Sequence, residues 1–473
     1  MDKIKTDKKK YLILENKNLY MSILILAIPI CLSNLLKSVH DIIDMYFVTG
    51  DTAIAAISFP SSVIMLSQAL AIGFMVAGAA LMSQALGANN KEKAKRISGQ
   101  LLLLCILSGI IFNILLYLLI PSVLELLGAK PDEEMYKLSL QYVRIRSFEM
   151  VPLFAFYAFQ ASRQASGDTL TPVIFNIISI ILNIVLTWYL VQIENMGVAG
   201  AAYATLAANI LILPIAIFML FKDKKADICI DLKDIKIDID EIKLLVKIGI
   251  PSALSQAFSS LGFLFINGFI KRGFGEVVVA AFSVGNRINS LVLMPIMGIG
   301  GIIATFVGQN IGANNERRAR ESIKCAMILV LIMMSVGGAI LLPFSDFFSE
   351  IFLEEGSQSI ELCSDYMFFL LTGLPLMGIF QVFIGAFQGA GYTKYAMLMS
   401  TIRLWAIRIP IVYVCIFVLN LESSCIWYTM TFSNFLSAII GMILYKLMKF
   451  KKIDKISNDN EEDEKGEVEY GYC

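Results

Sequence analysis

Gly87-Ala88-Asn89-Asn90-Lys91-Glu92-Lys93-Ala94 returns as Gly312-Ala313-Asn314-Asn315-Glu316-Arg317-Arg318-Ala319, an offset of 312 − 87 = 225 residues. Self-similarity at a fixed spacing marks a duplicated architecture. The same offset carries Gly50-Asp51 with Ala55-Ala56 onto Gly275-Glu276 with Ala280-Ala281, Gly73 onto Gly298 and Gln84 onto Gln309. Ile28-Pro29 matches Ile250-Pro251 at 222, and Gln164-Ala165-Ser166-Gly167 resembles Gln388-Gly389-Ala390-Gly391 at 224. The chain reads as two similar halves.

Both halves read as membrane-embedded. Of 473 residues, 57% are hydrophobic and 16% charged, with a mean hydropathy of +0.72. A soluble domain cannot hide that much apolar surface. Crossing hydrocarbon takes about 20 apolar residues. Such stretches fall at 20–46, 53–86, 98–120, 142–162, 171–192, 197–221, 244–270, 276–308, 323–343, 363–388, 395–418 and 424–448. The expected fold is an all-α polytopic membrane protein, with twelve transmembrane helices in two pseudo-symmetric six-helix lobes. An even number of spans per half makes the repeats parallel, related by an axis along the membrane normal. The small-residue stretches Gly73–Ala80 and Gly298–Ala304 are read as places of close helix packing.

Basic residues set the orientation. Lys3, Lys5, Lys8, Lys9 and Lys10, the turn with Lys91, Lys93, Lys95 and Arg96, the turn with Arg317, Arg318 and Arg320, and Lys449, Lys451 and Lys452 would face the cytoplasm. No Lys or Arg lies between Lys324 and Lys394, where Asp346, Glu350, Glu354, Glu355 and Glu361 mark an outer loop. The divisions are a cytoplasmic N-terminus (1–17), an N-lobe (18–221), a cytoplasmic linker (222–243), a C-lobe (244–448) and a cytoplasmic acidic tail (449–473). Alternating Ile and Asp from Ile228 to Asp240 suggest a short amphipathic element in the linker. Asn458–Glu469 is acidic and poor in apolar residues, hence expected to be disordered.

Several function classes fall away. A formal net charge of zero suggests no nucleic-acid partner. A single His excludes an HExxH site, no GxxxxGK[ST] is present, and no Cys or His cluster has metal-ligand spacing. The 8 cysteines form no CxxC and mostly lie in apolar runs, with Cys363 and Cys425 the one pair placed to meet near the outer face. The first apolar run is long, carries charges and lacks a small-residue cleavage site, so it is expected to be retained.

That run contains LAIPICLSNLLKSVHDIIDMYF, residues 26–47, with Pro29 near its start and Lys37, His40, Asp41 and Asp44 in its second half. An ionised aspartate at the bilayer centre costs about 2.5–3.5 kcal/mol on insertion scales and normally faces a protein interior or water. One turn separates Lys37 from Asp41, and His40 from Asp44. If Lys37 neutralises Asp41, Asp44 is left as the carboxylate free to bind and release a cation. Pro29 removes an intrahelical hydrogen bond and gives the helix a hinge. His40 is either a proton relay or, more commonly for a lone histidine beside an acid, a structural partner.

The halves differ where chemistry would be. At the offset of 222, Asp44 matches Ile266, with Asn267 beside it. The C-terminal half has no acid deep in any span. The embedded charges there are Arg287, Arg403 and Arg408, read as structural hydrogen-bond partners or as contacts for an anionic substrate group. Cation coupling is therefore expected to be asymmetric. Gln256, Asn267, Asn286 and Gln381 are candidates to line a substrate cavity, and Glu149 reads as solvated near the outer part of its span.

Taken in order, Asp44-Met45-Tyr46-Phe47-Val48-Thr49-Gly50 with Ala55-Ala56, Gln84–Gly87 and its copy Gln309–Gly312, Ala165-Ser166-Gly167-Asp168-Thr169, Asn183-Ile184-Val185-Leu186 and Gly197–Thr205 resemble the multidrug and toxic compound extrusion (MATE) family. The likeness runs from about Asn18 to Lys449. It implies twelve helices in two lobes, alternating access, and export of drug-like organic cations against H⁺ or Na⁺. The chain looks like the branch with its cation site in the N-lobe, because the acids of the other branch are missing here. That pattern falls on Asp44, Asn183 and Thr205. Where it expects a second acid, this sequence has Thr187. Asp168 is either a substitute reaching in or, as preferred, a turn residue at the cytoplasmic mouth. Sodium asks for several hard oxygens and a proton for one carboxyl, so the reading leans to H⁺ and leaves Na⁺ at Asp44 open.

The expectation is a secondary efflux antiporter, not an enzyme, with no cofactor. Its partners would be small drug-like cations and the bilayer, and it would act as a monomer in the cell (inner) membrane with both termini cytoplasmic. A flippase for a lipid-linked precursor is the nearest alternative, marked by dependence on a lipid carrier. A membrane enzyme, marked by product formation in detergent, and a channel, marked by flux without a counter-ion gradient, come behind it.

Overall fold

The repeated stretch builds the same corner twice. Asn89 and Asn314 each have φ of 57°, the left-handed region that asparagine tolerates better than most side chains. The Asn90 N–H reaches back to Ala85 O at 2.9 Å and that of Asn315 to Asn310 O at 2.8 Å, closing the helix before each corner. Asn90 Oδ1 then accepts from the Lys93 N–H at 3.0 Å, and Asn315 Oδ1 from that of Arg318 at 3.1 Å. Such a cap is worth about 1 kcal/mol to the helix it starts. One short motif thus ends one long helix and begins the next, in both halves.

The computed structural model describes residues 9–47, 51–126, 129–345, 347, 358–451 and 453; side chains are described except those of 38–46, 51–55, 58, 59, 62, 276, 280, 287, 288, 290, 291, 358 and 359. The first half contains α1 (Leu19–Phe47), α2 (Asp51–Gly87), α3 (Lys91–Leu126), α4 (Glu134–Ser147), α5 (Met150–Ala165), α6 (Leu170–Thr187) and α7 (Gly197–Lys222). The second contains α8 (Ile239–Phe274), α9 (Glu276–Gly312), α10 (Glu316–Leu341), α11 (Gln358–Gly389), α12 (Thr393–Thr401), α13 (Ile409–Tyr413) and α14 (Ser424–Leu447). Wider π turns extend α6 over Trp188–Ile193, join α12 to α13 over Ile402–Arg408, and follow α13 over Val414–Val418. Among the described residues there is no strand, and eleven helices are long and apolar enough to cross a membrane. The stretch expected at 142–162 falls on α4 and α5, of 14 and 16 residues, which meet end to end at Phe148 and Glu149.

Two large apolar cores form. One collects Phe74, Leu101, Phe154, Phe159 and Leu220 from the first half, the other Ile299, Phe306, Val330, Phe383 and Phe387 from the second. The leading helix of each half crosses over. Leu19, Ile23, Leu26 and Ala27 of α1 lie in the second core, while Leu245 and Ile248 of α8 lie in the first. Glycine makes both crossings close. A Cβ on Gly73 of α2 would stand 2.5 Å from Gly249 O of α8, and one on Gly298 of α9 would stand 2.9 Å from Cys31 Sγ of α1. These glycines are 298 − 73 = 225 residues apart, the offset of the repeat.

The linker's alternation has a local cause. Ile228 and Ile230 are buried in the first core, and the aspartates serve backbone groups. Asp231 and Asp234 form a capping box around a 3₁₀ turn, Leu232–Ile235, and Asp238 caps α8. Gln100 pins this segment to α3, donating to Asp234 O and Lys236 O and accepting from the Asp238 N–H. Cys363 and Cys425 are not joined in a disulfide, and Asn458–Glu469 lies outside the described residues.

Candidate functional site

The two halves grip each other at the end carrying both asparagine corners. Gln84 Nε2 donates to Gly389 O at 3.2 Å, and Gln309 Nε2 donates to Ala165 O at 2.7 Å. The two bonds are copies, since 309 − 84 = 225 and 389 − 165 = 224. Gly87 and Gly312 allow the approach: a Cβ on the first would stand 2.0 Å from Gln309 O, and on the second 2.1 Å from Gln84 O. Gln164 adds a reciprocal pair, donating to Gly301 O at 3.0 Å and accepting from Thr305 Oγ1 at 3.1 Å. Residues 9–13 and 453 join this end as well. The Ile453 N–H bonds Gln84 Oε1 at 2.9 Å. Ile13, fully buried, offers its carbonyl to Arg318 Nε at 2.9 Å, and Lys9 pairs with Asp168 at 2.9 Å.

Within the first half, a polar cluster sits in otherwise apolar helices. Asn183 Nδ2 donates to Thr205 Oγ1 at 3.0 Å, and Thr187 Oγ1 donates to Asn183 Oδ1 at 3.3 Å. Asn183 and Thr187 are buried. The register of α1 against α6 follows from Asn176 Nδ2 donating to Ser33 Oγ at 3.3 Å and Gln192 Nε2 donating to Phe47 O at 3.0 Å. Asp44 stands 44 − 33 = 11 residues beyond Ser33, and Thr187 stands 187 − 176 = 11 beyond Asn176. At about 1.5 Å per residue, parallel helices carry both to the same level, about 16 Å on. The backbone of Asp44 thus lies level with Thr187; the side chains of His40, Asp41 and Asp44 lie outside the described ones. Pro29 sits inside a continuous α1.

Asp168 belongs elsewhere. It accepts from Thr171 Oγ1 at 2.8 Å at the start of α6 and pairs with Lys9. Asn183 is 15 residues further on, about 22 Å along the helix. Gln256 and Asn267 lie on α8, Asn286 on α9 and Gln381 on α11. Gln256 and Asn267 alone are about 16 Å apart along α8, and Asn286 is held by Tyr366, whose hydroxyl donates to Asn286 Oδ1 at 3.0 Å.

Glu149 corrects the expectation of a solvated outer acid. It is 2% exposed, lies in the break between α4 and α5, pairs with Arg146 at 2.5 Å and accepts from Asn209 Nδ2 at 3.0 Å. Asn209 is one turn along α7 from Thr205. The signal was present in the sequence as a glutamate three residues after an arginine in an apolar run. Among the described residues, no group of three or more His, Cys, Asp or Glu is placed to hold a metal ion.

Two similar helical halves, locked at one end and holding a polar cluster in one interior, are the build of a secondary transporter. The MatE family model matches residues 29–189 and again 251–414. The chain belongs to this family. It is 26% identical to the probable multidrug resistance protein YoeA of Bacillus subtilis (strain 168), over 93% of this chain and 96% of the relative. It is 24% identical to the probable multidrug resistance protein NorM of Thermotoga maritima, over 90% and 92%. Its fold is similar to a solved outward-facing multidrug resistance MATE transporter, with a TM-score of 0.86 over 91% of this chain and 95% of that one, at 24% identity. The relatives are transporters, and this is a multi-pass membrane protein.

Proposed function

We propose that the chain is a multidrug efflux antiporter that exports organic cations from the cell. Counting α4 and α5 as one crossing gives twelve spans in two lobes. The basic corners Lys91–Arg96 and Arg317–Arg320 put the gripped end, and with it both termini, in the cytoplasm. This arrangement is then closed inward and open to the outside. The carrying observation is the Asn183–Thr187–Thr205 cluster at the level of Asp44 on a helix that holds Pro29.

Asp44, a carboxylate within a membrane-length helix, takes up H⁺ from outside. Loss of its charge releases a bound cationic substrate and lets α1 bend near Pro29. The lobes then part at the Gln84 and Gln309 bonds, the proton leaves to the cytoplasm, and the next substrate binds. Each charge moved through the field contributes about 2.3 kcal/mol per 100 mV. With neutral oxygens in place of a second acid, the site suits H⁺ better than Na⁺. The test is ethidium efflux from proteoliposomes under an imposed pH gradient or an imposed Na⁺ gradient, for wild type and Asp44→Asn. Efflux driven by the pH gradient and abolished by Asp44→Asn is expected; unimpaired transport by Asp44→Asn overturns the assignment.

A further inference from the structure

Among the described residues, the second half holds two buried arginines without an acidic partner. Arg403 is 6% exposed and Arg408 is 3% exposed. Among the described residues, no carboxylate acts on either. Arg408 Nε and Nη2 donate to Ser433 Oγ at 2.9 and 2.7 Å, and Nη2 also reaches Asn434 Oδ1 at 3.1 Å and Met430 O at 3.4 Å. Arg403 Nη1 reaches the same Asn434 Oδ1 at 3.4 Å and Met377 Sδ at 3.0 Å, and its guanidinium lies 4.3 Å from the centre of the Phe380 ring. Its Nε is buried and without a hydrogen-bond partner.

The backbone is wound to bring them together. Five residues along an α-helix, two side chains point about 140° apart. Ile402–Arg408 is a π turn, in which i and i+5 are bonded neighbours, and both guanidiniums share one oxygen. Such turns recur at functional sites. The location is also set by the repeat. Arg408, Met430 and Asn434 each lie 225 residues after Asn183, Thr205 and Asn209, the polar cluster of the first half and its link to Glu149.

Two like charges desolvated side by side, with only neutral acceptors and a ring face, are left short of one anion. We infer that Arg403 and Arg408 form a carboxylate-binding subsite in the second half, which recognises exported compounds that carry a carboxylate beside their positive charge. The planar forks of two arginines suit a two-oxygen anion, and Asn434, which both reach, is partly exposed. The subsite rests on the reading of the chain as a transporter of organic solutes, but not on Asp44.

The test is equilibrium binding of rhodamine B, a zwitterion with a free carboxylate, and of its ethyl ester, a cation, to the purified full-length chain without any gradient. Wild type should bind rhodamine B about tenfold more tightly than the ester, the scale of a hydrogen-bonded charge. Arg408→Gln and Arg403→Gln should each erase that preference and leave ester binding within about twofold. Acetate should compete with rhodamine B and leave the ester in place, a readout on the unaltered chain that survives even where a variant misfolds. Equal binding of the two dyes to wild type, a preference that persists in both variants, acetate that displaces both dyes or neither, or parallel loss of both dyes in a folded variant overturns the subsite. Failure of the coupling assignment would show separately, as transport by Asp44→Asn with the dye preference intact.

Discussion

The polar cluster around Asn183 and the arginine pair around Arg408 occupy matching places in the duplicated chain, and their chemistry is opposite. In the first half, Asn183, Thr187 and Thr205 bond one another at the level of an aspartate, and Asn209 serves the buried Glu149. In the second, Arg408 stands where Asn183 does, and Asn434, the copy of Asn209, serves two guanidiniums. The corners, the glycine crossings and the glutamine bonds are kept in both copies. Duplication preserved what holds the scaffold and released what faces the interior.

The comparison breaks most completely at Asp44. Asp44→Asn should reduce gradient-driven efflux to the leak of empty liposomes, whereas Arg408→Gln should leave the driving ion unchanged and alter only which dye is preferred; loss of coupling in both would show that the halves do not divide the work. Next in size is Glu149→Gln, which removes the charge that pairs with Arg146 and leaves that arginine its bond to Tyr142. Breaking such a pair costs about 3–5 kcal/mol, read as a clear fall in the melting temperature, and replacing Arg146 and Glu149 together by Met should recover most of it. At the shared scaffold, Gly312→Ala puts a Cβ 2.1 Å from Gln84 O. Overpacking of that kind costs about 1–3 kcal/mol and should favour opening of the gripped end. Faster maleimide labelling of a Ser166→Cys probe, in a background without other reactive cysteines, measures it, and Gly87→Ala should match it if the halves are equivalent there. The smallest effect belongs to Lys9→Ala, which removes a partly exposed ion pair worth about 0–1 kcal/mol; a melting temperature within error of wild type is expected.

The repeated corner was fully legible, because a left-handed Asn followed by a capping Asn is local chemistry. The residues Asn183, Thr187 and Thr205 came from the family resemblance, and the structure joins them by hydrogen bonds across two neighbouring helices. Asp168 was placed by its own capping habit. Glu149 was misjudged because the break between α4 and α5 turns it inward toward Asn209, 60 residues away in the chain.

By itself the sequence determined that this is a duplicated, membrane-embedded helical protein, where most of its spans run and where their corners fall, because hydropathy and caps act over a few residues. Only the tertiary structure decided that α1 and α8 lend their leading ends to the opposite cores, that the glutamine bonds close one end, and that Arg403 and Arg408 meet at one oxygen. Those outcomes depend on contacts between residues far apart in the chain and on one turn of π winding, and neither is set by local propensity.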